Sequence, residues 1–200
     1  MNYYKEDELK KVLIHELGHF VAHQILFENF EYSEPVNIGI CYENEKYLGQ
    51  VNARRRHNHP KRIAYPGQSN MQEFEDIAST LYGCIFQSIF TRIDVCNCYN
   101  SIDGSHDFGQ IKLAFIEFGE DIEQYKDLFF SHFHILTLSE IPDLISQIKL
   151  NDFFEPRANN QYLILSKDIL KNSNIKKIIK TVTPIYLNFY EKIKKRNPTI

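Results

Sequence analysis

The sequence predicts a mainly α domain, an array of about six helices carrying a small two-stranded β-ribbon. Three observations predict it. Apolar residues recur at helical spacing along most of the chain, one segment near residue 40 switches to strict alternation, and 43% apolar content in 200 residues is enough for one sizeable core.

The first helix is expected from Asp7 to Phe27, with Leu9, Val12, Leu13, Leu17, Phe20, Val21 and Leu26 on its apolar face. It should stop in the polar, proline-containing stretch from Glu28 to Pro35. Val36, Ile38 and Ile40 then alternate with Asn37, Gly39 and Cys41, Glu43-Asn44-Glu45 makes a turn, and Tyr47 to Val51 resumes the extended pattern, which is a β-hairpin. Arg54, Arg55, Arg56, His57, Lys61 and Arg62 follow in a stretch broken by Pro60, Pro66 and Gly67, a solvated loop. Ser69-Asn70-Met71-Gln72 has capping-box character, and Phe74, Ile77, Ala78, Leu81, Ile85, Phe86 and Ile89 mark the buried stripe of a second helix. Its small residues Ala78, Ser79, Gly83 and Cys84 should let the first helix approach closely. After a loop from Arg92 to Gly104, Ser105 can cap a third helix with Ile111, Ala114, Phe115 and Phe118 on its apolar face and Asp107 in its first turn. Further helices are expected around Ile122 to Phe133, from Ile141 to Leu150, and from Ile175 to Ile193 with an interruption at Pro184. Residues 1–118 thus read as a core and 119–200 as a helical part packed on it, one domain in all.

Composition narrows the function classes. A formal charge of -3 lacks the broad basic surface that nucleic-acid binding demands. No apolar run reaches the roughly 18 to 20 residues that cross a bilayer, and the polar stretch Met1 to Lys11 is unlike a secretory signal, so no membrane partner and a cytoplasmic location are expected. The four cysteines, at 41, 84, 96 and 98, are then expected as free thiols, and the pairs His57/His59 and His132/His134 as solvent-facing residues.

The chemistry concentrates in the first helix. His15-Glu16-Leu17-Gly18-His19 has two histidines four apart with a glutamate after the first, the H-E-x-x-H pattern of zinc peptidases. Chance supplies that pattern roughly 0.03 times in a chain of this composition, so coincidence is a poor account of it. On a helix the two imidazoles share a face and can grip one Zn²⁺, while Glu16 stands beside the open position as the catalytic base. His23 shares the face but lies about 12 Å along the helix from His15, too far to join the same ion. The three-histidine extension of the motif is excluded by Ala22 and Ile25. A catalytic zinc needs one more protein ligand from elsewhere. Asp107 is suited to this, since the dipole of its helix favours the ionised carboxylate. Glu73 or Glu75 on the second helix is the rival choice.

In order and spacing, HELGH, the extended Tyr47-Leu48-Gly49-Gln50, the helical Leu81-Tyr82-Gly83 and Gly104-Ser105-His106-Asp107 resemble the peptidase domain of FtsH-type AAA metalloproteases over about residues 9 to 118. That resemblance implies an FtsH-peptidase-like fold, His15, His19 and Asp107 as zinc ligands, and Glu16 as catalytic glutamate. The chain departs from the family at Gln87 and Ser88, where a glutamate pair is usual, and at Cys84, where an arginine is usual. It contains no Walker A loop, so ATP dependence is not inherited, and any unfolding of substrate is expected to come from another protein or not to occur; a separate unfoldase or a second copy of the chain in a homo-oligomer is the expected partner.

The expected function is a stand-alone zinc metallopeptidase cutting unfolded or flexible protein. The alternative is a catalytically silent zinc-binding pseudo-protease that serves as a peptide- or protein-interaction module.

Overall fold

In a computed structural model, residues 3–31, 33–54, 71–100, 104–117, 122–154 and 161–196 are described; within them the side chains of 3–5, 71–76, 78, 100, 113–117, 194 and 196 are not. The elements in order are α1 (Tyr3–Phe30), β1 (Glu34–Glu43), β2 (Lys46–Arg54), α2 (Met71–Thr91), α3 (Val95–Asn100), α4 (Ser105–Glu117), α5 (Lys126–Thr137), α6 (Ile141–Ser146), β3 (Gln161–Leu165), α7 (Ser166–Ile169) and α8 (Ser173–Arg196), with short 3-10 turns before α5 and β3.

α1 is the axis of the molecule. Leu13, Ile14, Leu17, Phe20, Val21, Ala22, Ile25 and Leu26 are all fully buried, so apolar residues ring the helix where the sequence suggested a single stripe. The reason is that α1 packs against α2, the sheet and α8 on different sides. The closest approach is to α2 and depends on Gly18, where a Cβ would come within 2.2 Å of the Tyr82 carbonyl oxygen.

The hairpin forms as the alternation predicts. Asn44 and Glu45 both take positive φ, 49° and 65°, which gives the turn the twist that matches its strands. The sheet has a third strand, in the order β2-β1-β3, all antiparallel. Local sequence hides β3, because five residues of Gln161-Tyr162-Leu163-Ile164-Leu165 are too few for a period to declare itself. Pairing with β1 decides it, setting Tyr162 opposite Ile40 and Ile164 opposite Ile38. Those four side chains are buried beneath the sheet. Among the described residues β2 is left as an edge strand.

Other expectations are corrected: the described residues form eight α-helices where about six were expected, and α6 ends at Ser146, short of Leu150. The segment from Arg92 to Gly104 contains the short helix α3. α8 runs through Pro184 without interruption, because Ile178, Val182, Tyr186, Phe189 and Tyr190 are buried at helical spacing on both sides of it. Their burial outweighs the roughly 3 kcal/mol that an internal proline costs. One continuous cluster of buried residues extends from Leu9 to Ile193, so the C-terminal helices share the core of the N-terminal ones. The arginine-rich loop after Arg54 and the capping residues Ser69 and Asn70 lie outside the described residues.

Candidate metal centre

Three elements bring the candidate residues together. α1 presents His15, Glu16 and His19 on one side; α2 crosses behind the two rings; and α4 begins at Ser105 with Asp107 in its first turn. The Nε2 atoms of His15 and His19 are 3.1 Å apart. Asp107 Oδ2 lies 3.1 Å from the first and 3.2 Å from the second. A tetrahedral ion with bonds of about 2.0 Å has ligand-to-ligand edges of about 3.3 Å, so this triangle has the size of one face of such a site.

The hydrogen bonds behind the rings fix which atoms face inward. His19 Nδ1 donates to the Ser79 carbonyl oxygen at 3.0 Å, and His15 Nδ1 to Gln87 Oε1 at 2.9 Å. In the neutral rings both Nε2 atoms therefore carry lone pairs, the arrangement in which histidine binds metals. Asp107 Oδ2 is itself buried and has no hydrogen-bond donor among the described residues. Three lone-pair atoms converge, and such a set is satisfied by a cation at its centre. Where a proton substitutes, it resides on His19: burial opposes the charge, but the adjoining Asp107 carboxylate outweighs it and lifts the pKa to about 9. Burial likewise opposes ionisation of Asp107, yet the two rings hold its pKa well below the usual carboxylate range.

Space is reserved at the same point. A Cβ on Gly83 would stand 2.2 Å from His19 Nε2 and 2.7 Å from His15 Nε2, so only glycine leaves the centre of the triangle accessible. The residues thus fit a divalent ion by donor type, spacing and room. The rival carboxylates Glu73 and Glu75 belong to the start of α2, and their side chains lie outside the described residues.

Glu16 is 6% exposed and is pressed between α1 and β2. A Cβ at Gly49 would come within 2.6 Å of its Oε1, and the Val51 backbone N–H donates to the carboxylate. Burial raises the Glu16 pKa in spite of the two histidines, which moves the group in the direction a proton-transferring carboxyl needs. These residues open onto a cleft of about 600 Å³ lined by Lys11, Val12, His23, His106 and the strand from Lys46 to Val51. His23 stands away from the triangle, hydrogen-bonded to Ser33.

Sequence reasoning missed several supporting residues. Gln87 marks the place of an absent carboxylate in the resemblance, yet here its neutral amide oxygen orients His15. Ser79 contributes only a backbone oxygen, for which no sequence signal exists. His132 is not solvent-facing: it is 3% exposed, accepts a hydrogen bond from the Tyr82 hydroxyl at 2.9 Å and stacks on Phe189. His134 is exposed, and His57 and His59 lie outside the described residues. None of the four cysteines is in a disulfide.

Comparison with family models, with curated proteins and with solved structures gives no match. No helix among the described residues is long and apolar enough to cross a membrane.

Proposed function

We propose that the chain is a zinc metallopeptidase acting on unfolded or flexible segments of protein. The observation that carries this reading is the convergence of two imidazole nitrogens and a buried carboxylate oxygen on one point, beside a buried glutamate and an edge strand. His15, His19 and Asp107 would hold the ion. Zn²⁺ bound by two neutral rings and one carboxylate keeps a net charge near +1, polarises a peptide carbonyl and lowers the pKa of a water towards neutrality.

The protein's own groups do the rest. The Glu16 carboxylate takes a proton from the attacking water and returns it to the leaving amine nitrogen. Among the described residues β2 pairs on one side only, so an extended peptide can pair with its other edge across the cleft, gaining affinity with little dependence on side-chain identity. Glu16→Gln is expected to retain zinc and fold while cutting casein about 10²- to 10⁴-fold more slowly. Absence of cleavage by the wild type across several unfolded substrates would remove the peptidase reading.

A second reading, a silent zinc-bearing interaction module, is favoured by one observation: the thiol of Cys84 lies within 4.8 Å of donor atoms of His15 and Asp107.

A further inference from the structure

Cys84 is fully buried on α2, next to Gly83 and one helical turn before Gln87, the two residues through which α2 shapes the metal centre. Its Sγ lies within 4.8 Å of the ligand atoms of both His15 and Asp107. The sulfur points toward the start of α4: a Cβ on Gly104, three residues before Asp107, would be 2.6 Å from it. α2 and α4 therefore hold the thiol against the triangle's border.

We propose that Cys84 is a fourth protein ligand, able to take the position that a hydrolytic zinc keeps for water. This rests on the zinc reading given above and adds a regulated state to it. Two nitrogens, one oxygen and one sulfur form a closed tetrahedral set of the kind found in structural sites, whereas the same set without sulfur is open. Zinc–sulfur and zinc–nitrogen bonds of about 2.3 and 2.0 Å put those donors about 3.5 Å apart, so the sulfur has to move inward from its position within 4.8 Å of the His15 and Asp107 donors. Rotation between staggered χ1 wells moves a cysteine sulfur by about 3 Å, a displacement on the scale that such a closure needs. On closure the thiol proton passes to solvent, the zinc–sulfur bond forms and the displaced water leaves. No oxidant is involved. The closed form is silent and the open form hydrolytic, so one sequence accommodates both functional readings.

Cobalt substitution tests this without reference to activity. The Co²⁺-loaded protein should show a thiolate-to-cobalt charge-transfer band in the near ultraviolet, lost in Cys84→Ser and retained when Cys41, Cys96 and Cys98 are all changed to serine. X-ray absorption of the wild-type zinc form, which needs no variant to fold, should show a sulfur neighbour at about 2.3 Å. Cobalt bound with visible d–d bands but no thiolate band, together with only nitrogen and oxygen neighbours around zinc, would overturn the proposal and leave the zinc site standing. Failure to take up either metal would overturn both.

Discussion

His15 and His19 on α1 and His132 on α5 are the same side chain in two kinds of interior. The α1 pair turn their Nδ1 protons to Gln87 and Ser79 and, as neutral rings, aim Nε2 lone pairs at a carboxylate oxygen that has no other donor among the described residues. His132 instead has its Nε2 satisfied by the Tyr82 hydroxyl and its face covered by Phe189 at a centroid distance of 4.0 Å. Burial is common to both. What separates a candidate ligand from a packed core residue is whether the inward-facing lone pairs are already matched.

The largest effect expected from breaking this contrast is at the triangle itself. Asp107→Ala should weaken zinc binding by about 10³-fold, and Gly83→Ala should also empty the site by filling its centre, both read by metal analysis after dialysis. Unchanged zinc in Asp107→Ala would shift the third ligand to Glu73 or Glu75. A smaller loss is expected one step out: Gln87→Ala should lower zinc affinity about 10- to 100-fold, with Gln87→Glu restoring it, because either side chain can accept the His15 Nδ1 proton.

The smallest effect is on stability, and it separates the two environments by sign. In metal-free protein His19 has a folded pKa of about 9 against 6.5 for the unfolded chain, so its contribution is complete below pH 6.5 and is lost as pH rises through 9. His132 is pushed down to about 3, by burial first and by Lys192 second; its contribution is complete above pH 6.5 and is lost as pH falls toward 3. Each slope is at most about 1.4 kcal/mol per pH unit. Urea midpoints of metal-free protein should therefore be highest near pH 6.5. Saturating zinc should flatten the alkaline limb and steepen the acid one, since metal-bound histidines cannot take up the protons that the unfolded chain binds below pH 6.5, whereas His132→Gln should relieve the acid limb and leave the alkaline one; a single shared limb would show that the histidines do not differ as described.

Much of the candidate site was legible because its residues obey short-range rules. His15, Glu16 and His19 are fixed by the helical period, and Asp107 is in the first turn of a helix that does begin at Ser105. The hairpin was legible for the same reason, its alternation and its turn being local. Missed features have partners far away in sequence: β3 is a strand through its register with β1, Gln87 is 72 residues from the ring it supports, and His132 is 50 residues from its hydroxyl donor. α1 was read as one-sided because its apolar residues outnumber a single face only once three neighbours claim them.

The amino-acid order by itself determined that two imidazoles and a glutamate share one turn of a helix, since a period of 3.6 leaves them no other arrangement. It did not determine that Asp107 meets both rings, that Gly83 leaves the meeting point open, or that Cys84 stands at its border. Those follow from α2 and α4 docking on α1, where packing of surfaces distant in sequence sets separations to within an ångström and no local propensity encodes them.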